Sequence, residues 1–474
     1  MAKTEMDLSY QKRPYNQAEN IAGERGLPFL GSILDLINDP YKLASRLYEK
    51  YGSVARIRLL NQPYLMLMGA DINRMICLDE DSNFSLMMGY EQSLGEFYSG
   101  GLLVRDFDDH RAHRRIFQTA FKNDTMKLYI DLINRVVEQH IASWQHKKDF
   151  HFFPNIKTTL LDIAAQIFLG IEDFDRQEAA RLAHTFEDIN AGMMSIVRWD
   201  TPLLFFCQWR KSKEAMRFME SYLIGQISER RDSNKMDIFS VICREKDEHG
   251  NYFSDRDIAS HISFLLFAAH DTTTSNLSYI MQFLAQHGEV QSKARVECQS
   301  KGHRFLCFED LPDMQELEKI QYEALRLRPS ATMLSRRTIR ECEIAGVTIP
   351  ADTIINVFPQ FTHMMEEHWD EPEKFDPERF SPERAEHKRH PYQFLPFGGG
   401  AHKCIGMHFS GMIVKCFLNQ MLLNYEWRAP DGYDPKHQVL PMPRQKDDLP
   451  LILHPLCHSK TSFGSDSKVS RVNI

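Results

Sequence analysis

The segment Phe394 to Gly411, FLPFGGGAHKCIGMHFSG, constrains this chain more than any other stretch. Three consecutive glycines, Gly398 to Gly400, allow a tight turn and a close approach to a flat partner, because no Cβ stands in the way. Cys404 follows, and Ile405 to Leu423 then reads as a mostly apolar helix. A cysteine at the mouth of a helix has its thiolate favoured by unpaired N–H groups and by the positive end of the dipole. Gly406 removes a side chain beside the sulfur, and Phe397 is placed to shield it from water. Taken alone, such a cysteine is either an inert core residue or a thiolate ligand.

The wider spacing separates the two. F-x-x-G-x-H-x-C-x-G occurs entire, as Phe397, Gly400, His402, Cys404 and Gly406, and resembles the haem-binding signature of the cytochrome P450 superfamily. The resemblance implies haem b with Cys404 as its axial thiolate ligand. It also implies that Phe397, Gly398 and Gly406 shape the loop around the sulfur. His402, where many members carry Arg, is expected to pair with a haem propionate.

Three further motifs follow the family's order. Ser254 and Asp257 suit a helix N-terminus, and the pattern runs to about His287, where Gly288 can end it. Such a helix is on the order of 50 Å long and can cross the molecule. Its middle, Phe264 to Thr274, sets two alanines before an acid and three β-branched threonines. Threonine hydroxyls bond back to carbonyls one turn earlier, and local rule-breaking inside a long helix marks a functional site. The block resembles the family's oxygen-activating A-G-x-D/E-T-T, with Ala269 in place of the usual Gly. Ala268 would lie over the haem, and Asp271 and Thr272 match the acid–alcohol pair that relays protons. His is usual at the Asp271 position in sterol 14-demethylases, which counts against that branch.

His110 and Arg114, four apart on a basic helix, share a face. They match the family's propionate-binding W/H-x-x-x-R, and Arg336 is a second propionate candidate by position. Glu323 and Arg326, followed by Pro377-Glu378-Arg379-Phe380, resemble the Glu-Arg-Arg network beneath the haem, which gives Glu323, Arg326 and Arg379 a structural role.

Composition sets the class. Hydrophobic residues make up 43% of 474, enough for a large core, and a net charge of −8 without a basic tract excludes nucleic acid as an expected partner. Nine dispersed cysteines without a C-x-x-C pair argue for a reducing compartment and against a disulfide framework or structural zinc. The polar N-terminus holds neither a signal peptide nor an apolar run long enough to span a bilayer, so a cytoplasmic protein is expected. The organisation expected is an N-terminal extension over 1–25, one catalytic domain over 26–456, and a disordered tail over 457–474. The fold class is mainly α with a small β-rich subdomain, the cytochrome P450 fold, with haem between the long helix and the cysteine helix. Residues 54–59 and 64–68 read as a hairpin. Residues 84–101 read as an irregular loop over the pocket, and 312–327 as a helix. The stretch 193–209, MMSIVRWDTPLLFFCQW, reads either as a buried connection or as a lid with peripheral membrane contact.

The function implied is insertion of one oxygen atom of O₂ into a C–H bond of an apolar small molecule. Fatty acid, terpenoid, sterol and retinoid-like chains all suit the expected lining of Met87, Met88, Tyr90, Phe97, Phe264, Phe267, Ala268, Met333, Leu334 and Met442. No flavin domain is expected, since the short tail carries no glycine-rich motif for one. Electrons are therefore expected from a separate ferredoxin- or flavodoxin-type donor docking near Lys403, Lys415, Arg111, Arg115 and Lys122, and the protein is expected to be a monomer. Two alternatives are a peroxide-dependent or isomerising haem-thiolate enzyme and a non-enzymatic haem sensor. Retention of the acid–alcohol pair weighs against both.

Overall fold

A computed structural model describes residues 16–60, 62–144, 149–171, 176–193, 208–440 and 442–456. The lid or connection at 194–207 and the tail at 457–474 lie outside these residues. The body is helical, and its axis is the long helix Asp255–Gln286. Ser254 caps it, its hydroxyl accepting from the Asp257 N–H at 3.0 Å. Ile258, Ile262, Leu266, Leu277, Ile280 and Leu284 bury against the surrounding helices. Phe152–Leu169, Gln208–Asp232, Gln315–Leu327 and Met407–Asn424 all pack on it.

Beside this body sits a small β-rich part. In chain order the strands are β1 Val54–Leu59, β2 Gln62–Leu67, β3 Phe84–Ser85, β4 Leu334–Thr338, β5 Cys342–Ile344, β6 Val347–Ile349 and β7 Ile354–Val357. There follow β8 Tyr425–Arg428, β9 His437–Gln438, β10 Arg444–Gln445 and β11 Ile452–Pro455. The main sheet has the order β1-β2-β7-β4-β3, and the expected hairpin is its first pair, with Val54 opposite Leu67. Alternation along the strands supplies two cores. Leu65, Leu67, Ile355 and Val357 meet Ala18, Ile21, Ile72 and Ile76 on one face. Ala55, Ile57, Met66 and Met68 meet Leu43, Leu47 and Phe358 on the other.

Residues 84–101 are not an irregular loop. They form β3 and then the helix Leu86–Tyr98. The orphan N–H groups at its start are satisfied from outside the helix pattern. Ser85 Oγ accepts from Met88 N–H at 3.0 Å, and the distant Asp106 carboxylate accepts from Leu86 and Met87. Gly89 is no helix breaker here: a Cβ on it would lie 2.7 Å from the Arg336 Cα, so glycine admits β4 against the helix. The helix expected over 312–327 begins only at Gln315, because Phe308–Asp313 is a 3₁₀ turn capped by Cys307 and Asp310.

A buried charge network fixes the ground beneath the cysteine loop. Arg326 Nε and Nη2 donate to the two Glu323 oxygens at 2.7 and 2.9 Å, and Arg379 Nε donates to Glu323 Oε1 at 3.3 Å. All three side chains are fully buried, and Glu386 joins at 3.0 Å from Arg379 Nη1. Arg326 also donates to the carbonyls of His363 and Pro372. His363 carries the network forward: its Nδ1 donates to the Arg326 carbonyl at 3.2 Å, and its Nε2 accepts the Leu395 N–H at 2.9 Å. That ring must stay neutral, and burial, assisted by the Arg326 charge, lowers its pKa to about 3.

The unfolded chain protonates this histidine below about pH 6.5, while the folded one refuses the proton until about pH 3. Its contribution to stability is therefore complete above about pH 6.5 and is lost as pH falls, at up to about 1.4 kcal/mol per pH unit. His363→Gln can still accept from Leu395, and its denaturant midpoints should fall less steeply with acid, by one proton's worth. An acid limb of unchanged slope in that variant would remove His363 from the account.

Candidate functional site

The loop before the cysteine helix is built by close approaches. Gly398 has φ +66° and Gly400 φ +63°, a region that other residues resist. A Cβ on Gly400 would fall 1.7 Å from the Cys77 carbonyl oxygen, and one on Gly399 would fall 3.0 Å from the Cys77 sulfur. Two of the three glycines thus serve contact with the helix Ala70–Leu78, a partner that no local pattern announces. The Cys404 N–H donates to the Phe397 carbonyl at 2.9 Å and closes the loop. The following helix starts at Met407, with Gly406 at its cap.

Cys404 is accessible, yet burial pushes its thiol pKa up. The two observations agree for a group that lines an internal cleft, enclosed by protein mass but open on one side. The Gly406 N–H, Arg114 and Lys403 act in the opposite direction.

The long helix shows the same signature. It is buried on both sides of a short stretch in which Phe267, Ala268, Ala269, Asp271 and Thr272 are half-buried. Thr272 Oγ1 donates to the Ala268 carbonyl and Thr274 Oγ1 to that of His270, each at 2.8 Å, the back-bonding expected of these threonines. Ser330 Oγ donates to the Thr272 carbonyl at 2.9 Å and ties this stretch to the chain entering β4.

Next to Cys404 a cationic corner converges. His110 and His402 stack with ring centroids 3.7 Å apart. Arg114 Nη2 donates to the Lys403 carbonyl at 2.7 Å. Arg336 is buried, with one hydrogen bond, to its neighbour Ser335, and no carboxylate within ion-pair reach among the described residues. Burial, with the nearby Arg114 charge, lowers the His110 pKa to about 4. Burial, with His110, Arg336 and Arg114, lowers that of His402 to about 2. The His110 Nδ1 is buried without a partner. Two guanidiniums and two imidazoles gathered around an unpaired donor form a site that fits a group with two carboxylates. With an accessible sulfur beside them, these residues fit haem.

The other expected lining residues divide. Met87, Met88, Tyr90, Phe267, Leu334 and Met442 are half-buried. The Tyr90 hydroxyl accepts the Ser335 N–H at 3.2 Å, holding its helix to β4. Pro443, after Met442, has its carbonyl bonded by Ser275 of the long helix at 2.6 Å. Phe97, by contrast, is a core residue, packed edge-on against Trp209 at 5.1 Å. Phe264 is buried between Tyr98 and Phe267, and Met333 packs toward the outer core of the sheet. Lys415 leaves the expected basic patch. Its side chain is buried and its ammonium is held by Glu318 at 2.7 Å and the Leu311 carbonyl at 2.8 Å. Arg111 is paired with Asp108, and Arg115 with Glu248 at 3.2 Å. Lys403 and Lys122 are exposed.

No described helix is long and apolar enough to cross a membrane. The family model for cytochrome P450 matches residues 21–449. A Mycobacterium tuberculosis protein named for cytochrome P450 136 is 33% identical, over 93% of this chain and 90% of its own length. The beta-amyrin 28-monooxygenase of Solanum lycopersicum is 27% identical, over 92% and 93%. The retinoic acid-bound structure of cyanobacterial CYP120A1 superposes with a TM-score of 0.83 at 27% identity, over 92% of this chain and 99% of that one. With the family match spanning nearly the whole chain and the cleft fitting its cofactor, this chain belongs to the cytochrome P450 family, whose members bind haem through an axial cysteine thiolate and act as monooxygenases.

Proposed function

We propose that this chain hydroxylates an isoprenoid-type apolar molecule, a terpenoid or retinoid-like skeleton, with electrons from a separate ferredoxin- or flavodoxin-type protein. The observation that carries the reading is the accessible Asp271–Thr272 pair in the middle of an otherwise buried helix. The beta-amyrin 28-monooxygenase of tomato, the taxane 10-beta-hydroxylase of Taxus cuspidata and the retinoic acid-bound cyanobacterial structure support the substrate class. The half-buried apolar residues Met87, Met88, Phe267, Ala268 and Leu334 support an adaptable apolar surface.

Each residue then has a role. Cys404 would hold the haem iron through its sulfur, within a loop shaped by Phe397, Gly398 and Gly406. His110, Arg114, Arg336 and His402 would hold the haem's two carboxylates, and Ala268 would leave room for it. Bound haem supplies the redox chemistry that reduces O₂ and puts one oxygen atom into a C–H bond. Thr272 supplies a hydroxyl and Asp271 an acid on the same half-buried stretch of the long helix. Protons thus reach the reacting oxygen along protein groups. Glu323, Arg326 and Arg379 hold the loop through His363 and Leu395.

In the reduced, carbon monoxide-bound protein the red-shifted Soret band of thiolate ligation should vanish in Cys404→Ser and persist in Cys416→Ser, whose cysteine is fully buried in the core. Loss in the second and retention in the first would reassign the ligand.

Thr272→Ala should bind haem and substrate and still consume reductant, but release more hydrogen peroxide and less product. An unchanged product yield per reductant would take Thr272 out of proton delivery.

The donor should meet the exposed Lys403 and Lys122. First-electron transfer should slow as salt rises, since charges are screened over about 10 Å at 0.1 M. Charge reversal at both lysines should slow it further while leaving the substrate-induced spectral shift intact. A rate indifferent to salt and to both reversals would rule out this face.

A further inference from the structure

His270 is a buried polar group on this stretch of the long helix. Its ring is enclosed, and both nitrogens are engaged. Nε2 lies 3.0 Å from the Lys157 carbonyl oxygen, and Nδ1 lies 3.0 Å from Asp271 Oδ1. A carbonyl can only accept, so Nε2 carries a hydrogen. In a neutral ring that leaves a lone pair on Nδ1, aimed at a carboxylate oxygen, and such a contact needs a proton between the two atoms. The opposite tautomer would set the Nε2 lone pair against the Lys157 carbonyl inside the core, leaving two buried acceptors face to face. Both arrangements that satisfy every partner place one proton between His270 and Asp271. One is an imidazolium against a carboxylate, and the other a neutral imidazole accepting from a carboxylic acid.

Resting on the reading of Asp271 and Thr272 as the proton-handling pair, we infer that His270 and Asp271 form a proton-holding dyad, in which His270 positions and charges the acid that serves Thr272.

The dyad is built into the fold from several elements. Thr274 Oγ1 donates to the His270 carbonyl at 2.8 Å, and the Phe186 ring meets the imidazole edge-on at 5.8 Å. The His270 side chain is 1% accessible and that of Asp271 24%, so the acid is the member with a way out. Other ionisable groups face the pair from three helices. Tyr98 stays a neutral phenol, first because it is buried and then because Asp271 is negative nearby. The Lys157 ammonium pairs with Glu187 at 3.1 Å, and His184 Nδ1 lies 3.9 Å from that glutamate. None of these offers the Nδ1 of His270 a nearer partner than Asp271.

The proton balance is simple. When the dyad releases its proton toward Thr272, it is left as a neutral imidazole with hydrogen on Nε2 and a carboxylate, one unit more negative. One proton from solvent restores it, and no electrons move within the dyad.

The test uses the haem-loaded enzyme in its diamagnetic ferrous carbon monoxide form, with histidines labelled in nitrogen-15 and the His270 signals assigned by their loss in His270→Gln. Hydrogen on Nε2 should be present throughout the neutral range. A neutral ring with bare Nε2 and hydrogen on Nδ1 would overturn the inference, whatever the activity. The second arm is turnover of His270→Gln, whose amide can still donate to the Lys157 carbonyl but cannot hold a proton. Product per reductant should fall on the order of tenfold at alkaline pH, less than the 10²–10⁴ typical of a group that itself transfers the proton. The alkaline limb of the yield should move to lower pH, and the solvent deuterium effect should grow. Parental yield and pH profile in this variant would reduce His270 to packing. If Thr272→Ala uncouples the enzyme and His270→Gln does not, only the dyad fails. If Thr272→Ala changes nothing, the acid–alcohol reading fails first.

Discussion

A single buried carboxylate, Glu323, sets the position of much of what surrounds the cysteine loop. It lies in a fully buried place with two guanidiniums against it. Removing charges from water costs several kcal/mol per ion, and attraction offsets that cost only when the geometry leaves no lone pair or proton idle. Here it does so by recruiting backbone. Arg326 and Arg379 between them take the carbonyls of His363, Asp370, Glu371, Pro372 and Lys374. The irregular segment 363–379 has few ladder hydrogen bonds of its own and gains its shape from these two side chains. His363 passes that shape to Leu395, and from there the loop runs to Cys404.

The cleft obeys the opposite rule. Under the loop every charge is matched, whereas at His110, Arg114, Arg336 and His402 like charges gather and the imidazoles are pushed to neutrality. A protein tolerates that arrangement where a ligand brings the counter-charge. The contrast between a satisfied network on one side of the loop and an unsatisfied one on the other distinguishes support from function more clearly than any single residue does.

Much of this was legible in the sequence because the decisive features are local. The long helix, its Ser254 cap, the back-bonded threonines and the β1–β2 hairpin all follow from spacing within a few residues, and the motif around Cys404 carried the family. What escaped is long-range. The helix Leu86–Tyr98 depends on an acceptor at Asp106, and its Gly89 answers to β4 across the fold. Phe97 looked like pocket lining and is core, because Trp209 lies beside it. Lys415 looked like surface and is buried in an ion pair with Glu318, since charge alone gives no sign of depth. His270 and His363 carry no pattern at all. Only the partners on their two ring nitrogens give them meaning.

The contact between Gly400 and Cys77 reaches further than a packing detail. The helix Ala70–Leu78 follows directly from β2, and its Ile72 and Ile76 are embedded in the core on one face of the main sheet. Its far end meets the cysteine loop so closely that not even a methyl group fits between them. The sheet therefore acts as a reference surface from which the sulfur's position is measured. A repacking between β2 and β7 would be transmitted along this helix to the loop that carries Cys404. The small subdomain thus helps to set where the cysteine loop sits, and drift in its core would shift that loop.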